Sequence, residues 1–385
     1  MGNILPFWLK LEDRERGGHF GLMSFDGAID RNGPKSAVFV SRILWFFSEI
    51  HRVMRHPEAR GQAVRTKRFL LDHLMDADDG GLFWSVSADG CLLEGDKHLY
   101  AQAFGIYSLS AHARAFTDDE AATHALRLFR KIVDRASTGT GFVEAFDRHW
   151  QEIHNRRMSA DFASRTFNTH LHLLEAFTSL TILDVDPGPR MALAALLRLI
   201  LGRFLAPDRT HSYAFLTEDL APMPGLRSFG HDIEASWLID AAAEVLGDPE
   251  LATKARAAAS KLARSSTAAA QMDDGGFILE PGNPWRIWWV QAEALVALVN
   301  EAERSGSTDH VARAERLWSY VVTSLKDPVN GEWHSQLDGA GRPDRSRPKV
   351  DSWKEPYHQG RACLELIERS RRANRRPPHF GRSSN

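Results

Sequence analysis

Three histidines and two glutamates fall at spacings that could move protons. In Gly230-His231-Asp232-Ile233-Glu234, His231 and Glu234 are three apart and share a helix face, with Leu238 and Ala241 continuing the stripe. Asn168 and His172 are four apart, as are Trp289 and Glu293, and Trp353 and Tyr357 with His358 one step round. Imidazoles with an ordinary pKa of about 6.5 suit proton transfer on a carbon next to a carbonyl. Two of them on opposite faces of that carbon would invert it, whereas one face alone would give aldose–ketose isomerisation. Glu234 and Glu293 could instead be the opposed carboxylates of a glycosidase. A sugar-binding protein without catalysis is a further reading, and a plain capping histidine beside a solvated Glu234 is the structural alternative.

Metal chemistry has weaker support. His170-Leu171-His172 has a spacing that cannot converge on one ion from a helix, so His170 is expected to pack or to support other residues. His231, Glu234 and His358 could meet around an ion, but no metal motif surrounds them. Arg42, inside the apolar Ser41-Arg42-Ile43-Leu44-Trp45, needs a carboxylate or a polar ligand if it is buried. The Trp288, Trp289 and Trp353 indoles suit the apolar C–H faces of a sugar.

The elements that must position these residues repeat. Turn-rich loops recur at Arg16–Gly21, Asp79–Trp84, Gly139–Phe142, Asp274–Phe277 and Asn330–Trp333, with a weaker version over Asp208–Asp219. The period is about 55 to 70 residues. Apolar periodicity predicts six long helices between them: Ala37–Met54, His98–Ala115, Phe167–Leu183, His231–Leu246, Trp285–Glu303 and Trp353–Ser370. Five more follow at Pro57–Met75, Asp118–Arg135, Pro187–Phe204, Pro249–Thr267 and Asp309–Leu325. The first set is bulky on most sides and the second rich in Ala, Arg and Lys, as inner and outer layers would be. The expected fold is all-α, an (α/α)6 barrel of six inner and about six outer helices, with an open solenoid as the rival. All inner helices then start at one end, and their polar clusters converge in one water-filled cup.

Composition fits this picture. The chain has 385 residues with 11 Trp and 21 Phe, enough for a large core and an aromatic pocket. A net charge of −2 gives no reason to expect nucleic acid or an anionic membrane as partner. Cys91 and Cys363 are too few for a disulfide framework and suit a reducing, cytoplasmic setting. No apolar run reaches membrane-spanning length. A monomer or weak dimer with a small sugar substrate is expected. Residues 1–372 read as one domain, followed by a basic tail over 373–385.

Seven segments in order resemble the cellobiose 2-epimerases of the N-acylglucosamine 2-epimerase superfamily. They are Asn3–Trp8, Ser41–Trp45, Leu99–Phe104, Asn168–His172, Gly230–Trp237, Trp288–Glu293 and Trp353–His358, and the likeness runs nearly end to end. The resemblance implies C2 epimerisation of a reducing-end sugar through ring opening and a cis-enediolate, with no cofactor and no metal. It implies that His231 and His358 are the acid/base pair and that His172 assists ring opening. Arg42, Tyr100, Asn168 and Glu234 would hold sugar oxygens or orient the histidines. Trp353 would stack on the second sugar, and Trp289 and Glu293 would line the cup. A mannose 2-epimerase or mannose–fructose isomerase would share these groups. Val40 replaces a common Gln and Gln359 a common Asn, which bears on substrate choice, and the first outer helix is short.

Overall fold

The computed structural model describes residues 1–158, 165–225 and 227–375. In chain order the α-helices are α1 (Leu5–Leu9), α2 (Ala37–Met54), α3 (Pro57–Phe69), α4 (Leu99–Phe116), α5 (Asp119–Ala136), α6 (Phe167–Ile182), α7 (Gly188–Leu199), α8 (Phe229–Leu246), α9 (Pro249–Ala270), α10 (Trp288–Ser305), α11 (Thr308–Tyr320) and α12 (Tyr357–Arg375). The even-numbered helices pack in sequence, α2 on α4 through to α10 on α12, and α12 returns to α2. The odd-numbered helices lie outside them. The ring is an (α/α)6 barrel, and its closure excludes the solenoid.

Helix starts are set by side-chain caps. Ser36, Thr166 and Ser228 begin α2, α6 and α8 by accepting the backbone N–H three residues on, and His98 accepts from Tyr100 to begin α4. Three outer helices, α3, α7 and α11, end in one π-helical turn, Leu70–Leu74, Ile200–Phe204 and Val321–Leu325. The pattern therefore extends past the α-helix proper at these ends.

The repeat lies as much in the loops as in the helices. After each outer helix the chain folds back in a short bridge: Glu12 with His19, Met75 with Leu82, Ser137 with Phe142, Leu205 with Ser212, Gln271 with Phe277 and Lys326 with Trp333. The first residue of an inner helix then donates its N–H to a carbonyl of the next repeat. Ala37 donates to Trp84, Leu99 to Glu144, Phe167 to Ala214, Phe229 to Leu279 and Trp288 to Ser335. Val350 pairs with Met23 and so joins the last repeat to the first. Each repeat thus seats the helix start of its neighbour, which holds the inner N-termini at one end.

Ion pairs tie the same corners, three of them buried and the Arg286–Asp274 pair open to solvent on its Asp274 side. Lys35 meets Asp13 at 2.9 Å, Lys97 meets Asp76 at 2.8 Å, Arg286 meets Asp274 at 3.0 Å and Lys349 meets Asp327 at 2.5 Å. Removing one partner of a buried pair costs about 3–5 kcal/mol where the other charge stays buried with no further partner. Four residues into the inner helices lies a second tether. Gln102 bonds both backbone groups of Leu82, Gln291 both of Phe277, and Asp232 accepts from Ser212. Val40 occupies this same position in α2 with no polar group to form the tether, and Gln359, third in α12, donates instead to the Glu355 carbonyl four residues back.

One segment departs from the helical reading. Trp353 precedes α12 instead of lying on it. Asp351 accepts the N–H groups of Trp353 and Lys354 in a turn, and Pro356 disfavours helix in the residue before it. The expected tail, 373–385, is described only through Arg375, the end of α12, and 376–385 lie outside the described residues. Among the described residues no helix is long and apolar enough to cross a membrane.

Candidate active site

The polar groups at the inner-helix starts meet inside the ring. Ser228 caps the helix and holds His231: its Oγ lies 2.8 Å from His231 Nδ1 and accepts the His231 backbone N–H. The Trp289 indole sits between two of the histidines, its ring centre 5.1 Å from that of His231 and 5.6 Å from that of His358. The two imidazoles are therefore no more than about 11 Å apart, ring centre to ring centre. Gly230 makes this packing possible, since a Cβ there would stand 2.5 Å from the Trp289 ring. Trp288 lies elsewhere, beneath the Lys354 ammonium.

His358 and His172 both contact carboxylates through Nδ1. His358 Nδ1 is 2.7 Å from Glu293 Oε1, and His172 Nδ1 is 3.0 Å from Glu175 Oε2. Burial lowers the pKa of all three histidines. It takes His231 to about 4, helped by the nearby charge His172 would carry, and His358 well below the ordinary value. His172 is lowered too, although Glu175 opposes the shift. Neutral imidazoles are the form in which such groups accept protons.

A single guanidinium joins the glutamates. Arg361 is 2% exposed. Its Nη2 donates at 2.7 Å to both Glu234 Oε1 and Glu293 Oε1, and its Nη1 donates to Glu175 and to the Tyr357 hydroxyl. Glu175 is held at about 2: burial would raise it, but Arg361 and His172 prevail. Glu234 is raised to about 8, first by burial and then by the Glu293 charge. Glu234, Glu293 and His358 come close enough to hold a metal ion, yet the Arg361 cation already bridges the two carboxylates. The sequence's candidate set of His231, Glu234 and His358 is not the set that converges; Glu293 takes the place of His231.

The remaining candidates divide by exposure. Arg42 is buried, paired with Glu355 and donating to the Tyr100 hydroxyl at 2.9 Å. Its guanidinium lies over the Tyr357 ring at 4.6 Å, and Arg361 stacks on the same ring at 4.2 Å. Among the described residues Asn168 keeps a buried Oδ1 without a partner, an acceptor open to a ligand donor. Trp353 is 41% exposed and forms the rim, with its ring centre 5.7 Å from that of Tyr100 and 6.3 Å from that of Trp84. His170 is packed: its Nδ1 meets the Thr166 carbonyl and its Nε2 accepts from Phe142 N–H.

Sequence reasoning passed over Glu175, Arg361, Trp237, Glu355, Ser228 and Trp84. Two were legible by spacing, since Glu175 follows His172 by three and Arg361 follows His358 by three.

A family model for N-acylglucosamine 2-epimerase (GlcNAc 2-epimerase) matches residues 18–362. The chain belongs to the N-acylglucosamine 2-epimerase family. It is 36% identical to the cellobiose 2-epimerase of Bacteroides fragilis over 375 residues, covering 94% of this chain and 95% of that protein. The solved structure of cellobiose 2-epimerase from Bacillus thermoamylovorans B4167 superposes with a TM-score of 0.91 at 35% identity, covering 96% of each chain. A D-mannose isomerase structure shares the fold, with a TM-score of 0.82 at 17% identity and 95% of each chain covered.

Proposed function

We propose that this family member is a cofactor-independent sugar 2-epimerase that interconverts the glucose and mannose configurations at the reducing end of a β-1,4-linked disaccharide such as cellobiose. Membership of the epimerase family and the 36% identity to a cellobiose 2-epimerase support the reaction class. One observation carries the mechanism: two imidazoles from different repeats flank one indole inside the ring.

In this reading His172 assists opening of the pyranose. The open-chain C1 carbonyl then acidifies the proton on C2. His358 or His231 takes that proton through Nε2, the electron pair moves onto the carbonyl oxygen, and a cis-enediolate forms. The other histidine enters the step as an imidazolium carrying one proton brought in with the substrate, and delivers it to the opposite face. The carbonyl re-forms with C2 inverted, and the two rings end with their protonation states exchanged. Buried donors steady the developing oxyanion better than water would, and Tyr100, with its hydroxyl set by Arg42, is placed to do this. Asn168 and Glu234 hold hydroxyls. Trp289 forms the floor against which the reacting sugar packs, while Trp353 stacks on the second sugar.

Cellobiose incubated with the protein in heavy water and followed by NMR tests the reaction. The expected product is glucosyl-mannose with deuterium at C2. Ketose as the main product would make the chain an isomerase, free glucose would make it a glycosidase acting through Glu234 and Glu293, and no change would overturn catalysis altogether.

A further inference from the structure

The environments of Glu175 and Glu293 match each other closely. Each glutamate accepts from the Arg361 guanidinium, through Nη1 for Glu175 and Nη2 for Glu293. Each contacts an aromatic donor: the Tyr357 hydroxyl lies 2.5 and 2.7 Å from the Glu175 oxygens, and Trp237 Nε1 donates to Glu293 Oε2 at 3.0 Å. Each then meets one imidazole Nδ1, of His172 or of His358. Two histidines on separate inner helices are thus held through mirror-image arms that end on one buried cation.

We infer that Arg361 is a positioning residue that fixes His172 and His358 in the tautomer with the proton on Nδ1, leaving both Nε2 lone pairs free for the sugar. The reasoning is a count of donors. A carboxylate that accepts from Arg361 and from an aromatic donor has no proton of its own to give, so the ring nitrogen facing it must be the donor. Glu234 completes the count. Three buried carboxylates surround one guanidinium, and among the described residues Glu234 receives a side-chain bond only from Arg361, whereas Glu293 has three partners. On this count of partners the proton that relieves the excess negative charge is assigned to Glu234, while burial raises both Glu234 and Glu293. His231 stands outside the arrangement, with Ser228 as its Nδ1 partner. The purpose of the tautomer rests on the proposed proton transfer, but the tautomer itself does not.

The test needs no substrate. Long-range ¹H–¹⁵N spectra of the sugar-free protein at pH 7.5, assigned with His172→Asn and His358→Asn, report which ring nitrogen carries the proton. The expected result is Nδ1–H for both. Nε2–H on either ring would overturn the inference, and this holds whether or not cellobiose is turned over. Arg361→Met should move both rings toward Nε2–H and lower kcat by about 10- to 100-fold with KM changed less than about threefold. Arg361→Lys keeps the charge but cannot reach both arms, so it should restore only part of kcat. A folded Arg361→Met protein with wild-type tautomers and turnover would also refute the role. Should that variant not fold, the wild-type spectra still decide.

Discussion

Glu234→Gln probes the buried carboxylate cluster through stability as well as activity. Glu234 is 1% exposed, lies 2.7 Å from Arg361 and titrates at about 8 in the folded state, against an ordinary value of 4.5. A carboxyl with a raised folded pKa binds more protons folded than unfolded between those two values. Its contribution is fully present below the unfolded pKa and is lost as pH rises through the folded one. One proton taken up on folding gives a slope of about 1.4 kcal/mol per pH unit, or roughly 3 kcal/mol between pH 5.5 and 7.5. Glutamine keeps the shape and removes the titration. It also relieves Glu293, whose pKa is raised by the same burial. Denaturant midpoints taken from pH 5 to 9 should show the wild type losing stability relative to the variant as pH rises, with the curves converging below pH 5. The buried histidines, shifted downward, oppose this trend in both proteins and cancel in the difference. Parallel curves across the range would refute the raised Glu234 and the charge balance built on it.

Other perturbations separate the remaining parts. Trp353→Ala should lower kcat/KM for cellobiose by roughly 5- to 30-fold, equivalent to about 1–2 kcal/mol of lost stacking, and affect mannose less. Equal losses on both sugars in steady-state assays would remove the rim role. Lys97→Met removes the buried partner of Asp76, which keeps Arg148 at 3.3 Å and the N–H groups of Asp78 and Asp79, and should cost about 1.5–3 kcal/mol in denaturant unfolding. A loss under 1 kcal/mol would show that the corner ion pairs contribute little. Dialysis against EDTA should leave epimerisation unchanged, because the Arg361 cation already bridges Glu234 and Glu293. Activity lost to EDTA and restored by a divalent ion would contradict that assignment.

Much of the architecture was legible because it is written in local physics. The 3.6-residue period gave the helices, and α2 runs from Ala37 to Met54 as read from the pattern. The recurring Gly-rich turns gave the sixfold repeat. The misplacement of Trp353 has a local cause as well, in the Asp351 turn and Pro356 that outweigh an apolar stripe spaced four apart. What periodicity could not reveal was pairing between distant repeats. Arg42 reads as a cation in need of a partner, but that its partner is Glu355, across the closure of the ring, follows only from the fold. The Arg361 junction is similar, since it gathers Glu175, Glu234 and Glu293 from three other helices. Metal ligation by His231, Glu234 and His358 looked possible from spacing alone, but the fold brings Glu293 and not His231 beside Glu234 and His358.

The central claim is that His231 and His358 serve opposite faces of one carbon. Deuterium exchange at C2 in His231→Asn and His358→Asn, each given the glucose-ended and the mannose-ended disaccharide in heavy water, tests it directly. The account predicts complementary behaviour: each variant loses inversion, yet exchanges C2 hydrogen in the one epimer whose proton faces its surviving histidine. Exchange of the same epimer by both variants, or inversion retained by either, would contradict it.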